Sequence, residues 1–109
     1  MTVPVLQNYI DGAFVTPSGT EMLDVVSPVD ESVVAHAPIS DAADVDAAMT
    51  AAAKAFETWG KTTPSERQKV LLKLADAIEA HSDEIVEAQS RNTGQPKATI
   101  AAEEVTVGA

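Results

Sequence analysis

The change of pattern at Asp41 constrains this chain more than any other feature. Before it, apolar residues come in short β-branched runs separated by turn residues; after it, they recur every three or four positions through alanine-rich sequence. The first pattern suits strands, whose side chains alternate from face to face. The second suits amphipathic helices with one apolar stripe. The fold class read from this switch is α+β, with short β-hairpins and turns over residues 1–40 and amphipathic helices over residues 41–109.

Within the first part, Leu6 to Val15 reads as a hairpin. Its centre, Asp11-Gly12, can supply the two positive φ angles of a type I′ turn. Thr16-Pro17-Ser18-Gly19 reads as a loop. Glu21 to Val26 and Val33 to Ala37 are two more strand-like runs, joined through Ser27-Pro28-Val29-Asp30, a turn with proline at its second position. Pro38 ends the last run because it has no N–H for a ladder.

In the second part, Asp41 suits an N-cap, and Asp44 and Asp46 place negative charge where the helix dipole favours it. Val45, Met49, Ala52, Phe56 and Trp59 share one face, and Gly60 and Lys61 suit the helix end. Thr63-Pro64-Ser65-Glu66 is the sharpest local signal: Thr63 caps, Pro64 takes the first helical position, and Glu66 completes a capping box. The stripe then runs through Leu71, Leu74, Ile78, Ile85 and Ala88. Ser82-Asp83-Glu84 is cap-like, so two helices in series or a bend near His81 is expected. Gly94 and Pro96 stop the run, with Arg91 in the last turn. A further helix starts near Lys97 and carries Ile100, Ala101, Glu104 and Val105. Two neighbouring stripes should pair, with Phe56 and Trp59 packed on Leu71, Leu74 and Ile78.

Composition limits the chemistry. At 109 residues the chain is one domain at most. Leu, Ile, Val and Phe make up 25 of the residues, more than a disordered chain carries. Seventeen acidic against seven basic residues give a formal charge of −10, which repels phosphate backbones and anionic lipid. Nucleic acid and membrane are therefore not expected partners. The chain has no cysteine, so it can form no disulfide and offers no thiol nucleophile. Its first residues show neither a basic region nor a long apolar run, and a cytoplasmic location is expected.

Specific sites are as sparse. The five glycines, at 12, 19, 60, 94 and 108, are too far apart for a dinucleotide or phosphate loop. His36 lies in a strand-like run. His81 lies on the helical seam between Ile78 and Ile85 and reads as a partly buried helix-end histidine; neither has a partner evident from spacing. Asp44/Asp46 and Glu103/Glu104 do not share a helix face, which favours surface charge over a metal site. Glu57/Lys61 and Glu87/Arg91 are spaced as helical ion pairs. Ser40, Ser65 and Ser82 read as caps, since no triad or oxyanion context surrounds them. No residue is assigned a catalytic, cofactor-binding or metal-binding role.

Asn8-Tyr9-Ile10-Asp11-Gly12-Ala13-Phe14-Val15 resembles the Tyr-Ile-(Asn/Asp)-Gly-x-(Trp/Phe)-Val opening of the aldehyde dehydrogenases. Val26-Ser27-Pro28-Val29-Asp30-Glu31-Ser32-Val33-Val34-Ala35 resembles their Asn-Pro-Ala-Thr-Gly-Glu-Val-Ile-Ala segment. Asp44-Val45-Asp46-Ala47-Ala48-Met49, continued by Ala53-Lys54-Ala55-Phe56-Glu57-Thr58-Trp59, is similar to a long helix of that family. Glu66-Arg67, Leu71-Leu72 and Leu74-Ala75-Asp76-Ala77-Ile78-Glu79 match its next helix, followed by Glu84-Ile85. Asn92-Thr93-Gly94-Gln95-Pro96 resembles its Thr-Gly-Lys-Pro turn. The matches run in order over residues 7 to 105. Departures such as Ser27 for Asn and Gln95 for Lys fall in turns; the flavour is closest to aminobutyraldehyde and betaine-aldehyde dehydrogenases.

The resemblance implies a longer parent enzyme that uses NAD or NADP to oxidise an aldehyde to a carboxylic acid. A cysteine thiolate attacks the aldehyde, hydride passes to the nicotinamide, and a glutamate activates the water that releases the acid. No residue here matches that cysteine, that glutamate or the dinucleotide loops. The implied place of residues 1–109 is a single partial domain, the N-terminal part of the parent's α/β Rossmann-like nucleotide-binding domain. The segment would be structural and inactive alone, its parent a homo-oligomer. Truncation after Ala109 is favoured over a natural helix end at Gly108. The competing reading is a stand-alone helical interaction or regulatory module. An acyl carrier fits the size and charge but lacks the Asp-Ser-Leu attachment motif.

Overall fold

The computed structural model describes residues 2–108. The chain divides into two compact units, Met1–Val26 with Val33–Thr62 and Ser27–Ser32 with Thr63–Ala109.

The first unit holds two antiparallel strand pairs and a helix. Strands β1 (Asn8–Ile10) and β2 (Ala13–Val15) pair through Asn8↔Val15, Tyr9↔Phe14 and Ile10↔Ala13. Asp11 at φ 53° and Gly12 at φ 81° are both left-handed, as the type I′ turn requires. The rings of Tyr9 and Phe14 meet edge-on at 5.1 Å, and both are exposed. Strands β3 (Met22–Val26) and β4 (Val33–Pro38) pair antiparallel with a bulge at Val25/Val26, and Pro38 is the last paired residue. Residues 4–6 lie along β4: the Leu6 N–H donates to the His36 carbonyl at 2.8 Å, and the His36 N–H donates to the Pro4 carbonyl at 2.9 Å. Helix α1 (Ala42–Trp59) completes this unit and ends at Gly60.

The second unit is helical. Helix α2 (Pro64–Ala80) and helix α3 (Ser82–Thr93) are in series, broken at His81 as its neighbourhood predicts. Gly94 takes the left-handed position after α3 at φ 74°, and a Cβ there would lie 2.9 Å from Cγ of Pro28. Glycine is needed twice over, for the angle and for the space. The Ser27–Ser32 loop that brings Pro28 there is closed by the Ser27 N–H donating to the Ser32 carbonyl at 2.8 Å. The expected last helix begins at Lys97, but it is not a plain α-helix. A π-helical segment, Ile100–Val105, separates α4 (Lys97–Thr99) from α5 (Thr106–Gly108). On an α-helix, residues five apart differ by about 140°; a π-helix stacks them, because its bonds span five residues. Ile100 and Val105 therefore share a face, and with Val86 they form the buried cluster, flanked by Ile78, Ile85 and Ala101.

The burial predicted for Phe56, Trp59, Leu71 and Leu74 is not supplied by their own units. Phe56 is 69%, Trp59 42%, Leu71 60% and Leu74 54% exposed, while Ile78 turns to the Val86 cluster. A stripe is hidden only when a second layer lies over it, and neither unit carries such a layer within itself.

Candidate functional site

A dense polar arrangement lies at the start of α1. Asp41 is the N-cap, and its Oδ1 accepts from the Ala43 N–H at 2.9 Å and the Asp44 N–H at 3.1 Å. Asp44 reciprocates, its Oδ2 accepting from the Asp41 N–H at 3.0 Å. The loop before β3 joins in: the Ser18 hydroxyl donates to Asp41 Oδ1 at 2.5 Å, and the Ser18 N–H donates to Asp44 Oδ1 at 3.0 Å. The Ser18 hydroxyl, then the Asp44 N–H, hold the Asp41 carboxyl below its ordinary range. Asp44 is buried, 8% exposed. The dipole accounts for an acid at this position, but the capping box with aspartate in its last place, Asp41-x-x-Asp44, is the signal that predicts its full role.

Helix α2 starts as its signature predicts. The Thr63 N–H donates to Glu66 Oε2 at 2.7 Å, and the Glu66 N–H donates to Thr63 Oγ1 at 3.3 Å. The Thr63 N–H and hydroxyl lower the Glu66 carboxyl from its ordinary value. Helix α3 has no side-chain cap but carries Asp83 and Glu84 in its first turn. Carboxylates thus stand at the starts of α1, α2 and α3, the places where a bound phosphate is otherwise favoured.

The serines expected to cap do not. Ser65 and Ser82 lie inside the first turns of α2 and α3, and the Ser40 hydroxyl accepts from Asn8 Nδ2 at 2.8 Å while Asp41 caps. Each yields to a neighbour whose oxygen reaches the first-turn amides, except at α3, where His81 takes the cap position without a side-chain bond. His81 is not partly buried: its side chain is 62% exposed, with Nδ1 3.2 Å from Glu84 Oε1. Ending one helix and starting the next turns its ring outward.

His36 does have a partner, which spacing along the chain could not reveal. Its Nδ1 is 2.7 Å from Asp24 Oδ1, directly across the β3/β4 ladder. His36 gives its own N–H and carbonyl to residues 4–6, so its pairing with Asp24 is the non-hydrogen-bonded kind, in which side chains come closest. The expected helical ion pairs do not form: among the described residues neither Glu57/Lys61 nor Glu87/Arg91 meets, and Glu87 pairs with Lys97 instead. The Lys97 hydrogen bond, more than its charge, lowers Glu87.

Of the paired acids, Asp44 is spent on capping and Glu104 accepts from Gln89 and, at 2.7 Å, from Gln95. These amides, Gln89 first, lower the Glu104 carboxyl. Among the described residues, no three His, Cys, Asp or Glu side chains gather as metal ligands, and no helix is long and apolar enough to cross a membrane. The cavities are open grooves. One of about 220 Å³ lies between β1 and α1 beside Asn8, Ser40 and Asp44. Another of about 300 Å³ lies beside Ile78, Ile85, Gln89 and Glu104. Neither brings a nucleophile to a base.

Comparison with known proteins places these observations. The model of the aldehyde dehydrogenase family matches residues 14–109. The 2-aminomuconic semialdehyde dehydrogenase of Danio rerio is 44% identical over 91 residues, 84% of this chain and 18% of its own length. An aldehyde dehydrogenase from Bartonella henselae superposes with a TM-score of 0.93 at 29% identity, over 98% of this chain and 22% of that one. Aldehyde dehydrogenase C of Pseudomonas syringae, solved as a mutant with NAD+ and octanal, does so at 0.90 and 34%, over 94% of this chain and 21% of that one. The chain belongs to the aldehyde dehydrogenase family. It spans about a fifth of the length of these relatives, and its own architecture is α+β. None of the three is an aminobutyraldehyde or betaine-aldehyde dehydrogenase by name, so that finer likeness goes no further.

Proposed function

We propose that these residues are the N-terminal part of an NAD(P)-dependent aldehyde dehydrogenase that oxidises an aldehyde to its carboxylic acid, and that they are structural within it. The observation that carries the reading is the continuous match of 94% of this chain to a fifth of a protein solved with NAD+ and octanal. Residues 1–109 form one partial domain, the start of the parent's nucleotide-binding domain. The nucleophile, the base and the dinucleotide loops belong to the rest of the parent. Two features support this division. The chain contains no cysteine. The starts of its three long helices are occupied by carboxylates, which repel a pyrophosphate. The residues present do not fit the cofactor, and none is assigned to it. The same reading proposes a cytoplasmic, homo-oligomeric parent.

The test has two arms. The 109-residue chain is assayed for NADH formation with several aldehydes and for NAD binding by calorimetry; neither is expected. The matched stretch of the Danio rerio relative is then replaced by this chain, and the chimaera is expected to turn over. Turnover that copurifies with the 109 residues alone sinks the structural reading, and a folded but inactive chimaera sinks the assignment to that place in the parent.

A further inference from the structure

The turn between β1 and β2 brings a carboxyl group next to an unshielded backbone nitrogen. Asp11 and Gly12 are both exposed, and both are left-handed, at φ 53° and 81°. A Cβ built on Gly12 would meet nothing within 4 Å, so the space beside its nitrogen is open. Among the described residues the Gly12 N–H donates to no backbone acceptor, and the Asp11 carboxylate joins no ion pair. The other seven aspartates are placed differently, and each is followed by a residue that carries a Cβ. The carboxylates of Asp24, Asp30, Asp41 and Asp44 are engaged by His36, Ser32 and Ser18. Asp46 and Asp76 lie inside α1 and α2, where the next N–H is committed to the helical ladder.

We propose that Asp11-Gly12 is a site of covalent self-modification, at which Asp11 passes to isoaspartate through a cyclic imide. The Gly12 nitrogen bonds to Cγ of Asp11. One carboxyl oxygen leaves as water, taking the amide hydrogen and a proton from solvent. Water then adds to the ring. Addition at Cγ restores Asp11, whereas addition at the main-chain carbonyl of Asp11 breaks the original peptide bond and leaves the chain running through Cγ. No oxidant, metal or enzyme is needed, and the step requires no residue of the parent. The fold admits it because the hairpin is a sheet of two strands with three pairs. Such a ladder is marginal and opens locally, which frees Asp11 to turn its Cγ onto the nitrogen. The product lengthens the main chain by one carbon. A two-residue type I′ turn has no room for that carbon, so the Ile10↔Ala13 pair is lost, and the edge contact of Tyr9 with Phe14 goes with it.

The experiment ages the 109-residue chain in warm neutral buffer and maps its peptides by fragmentation that distinguishes the two linkages. Isoaspartate at position 11 should form roughly tenfold or more faster than at any other aspartate, a barrier difference of ~1.4 kcal/mol or more. A form lighter by one water should precede it. Asp11→Glu must close a larger ring and should slow the reaction by roughly tenfold or more. Asp11→Asn should reach the same imide faster, by losing ammonia. A synthetic peptide from Leu6 to Val15, with the same two variants, gives the rates of an open turn without any need to fold. In the aged fraction, hydrogen exchange should quicken across β1 and β2. Conversion in the peptide but not in the chain shows that the fold shields the site and overturns the proposal. So do equal rates at the other aspartates, an undiminished rate in Asp11→Glu, and an Asp11→Asn variant that keeps its amide. Unchanged exchange across the hairpin of the isoaspartate form overturns the loss of the turn.

Discussion

In the first unit the enclosed side chains include Ala35 and the carboxylate of Asp44; in the second they include Val86, Ile100 and Val105. One unit is held by hydrogen bonds to backbone amides, at a type I′ turn, a β ladder and a capping box. The other has the beginnings of a hydrophobic core. Directional bonds fix local geometry but contribute little net free energy each, whereas apolar burial is non-directional and larger per residue. The two units should therefore respond differently to the same kind of damage.

The largest effect should come from Ile100→Ala. Ile100 is fully enclosed, and removing its branch opens a cavity between Val86 and Val105. A loss of ~2–5 kcal/mol is expected in urea titration. Leu71→Ala, at a residue of similar size but 60% exposed, should change little in the free chain. Equal losses at both sites would erase the distinction between core and open stripe.

Asp44→Ala tests the first unit at its best-buried polar group. It leaves the N–H groups of Ser18 and Asp41 without their acceptor. A loss of ~1–3 kcal/mol is expected, with exchange rising first at those two amides. A smaller loss with unchanged exchange would show that water replaces the carboxylate without penalty.

Thr63→Ala should cost ~1 kcal/mol, the usual loss for a capping hydroxyl. The same cap responds to acid, with a sign fixed by its pKa. The Glu66 carboxyl is lowered in the folded chain, as is that of Asp41. Such groups stabilise above the unfolded carboxylate value of ~4 and lose that contribution as pH falls through the lower folded value. Both helix starts should loosen in acid, and Thr63→Ala should flatten the dependence at α2. A melt that gains stability on acidification contradicts the sign.

What could be read from the sequence follows the same division. Asp11-Gly12, Thr63-Pro64-Ser65-Glu66 and Gly94 each determine their structure within four residues of themselves, and all three are found as predicted. Sequence and structure part where an outcome depends on distant partners. Ile100 and Val105 share a face only because the backbone widens to π, and there both pack with Val86, which the local sequence does not announce. Glu87 has Arg91 one turn away but is taken by Lys97 beyond the Gly94 turn. Phe56 and Trp59 carry the right periodicity and remain open. For the candidate site, the Asp41 cap was legible, whereas the Ser18 contribution required knowing that a loop 23 residues earlier returns to it.

The smallest effect should come from Asp24→Ala, which removes the partner of His36. The two side chains are 59% and 35% exposed, so water already competes for both. Cross-strand pairs of this kind contribute roughly 0.2–1 kcal/mol, less in salt. The residue nevertheless sits at a junction, because His36 also carries both backbone bonds to residues 4–6. If those bonds depend only on the ladder, Asp24→Ala should shift the urea midpoint slightly and leave exchange at the Leu6 amide unchanged. If the side-chain pair also fixes the position of His36 in β4, the Leu6 amide should exchange faster in the variant at every salt concentration. The second outcome would move this pair from surface decoration to a structural role in the first unit, and would show that a polar contact there reaches beyond its own two residues.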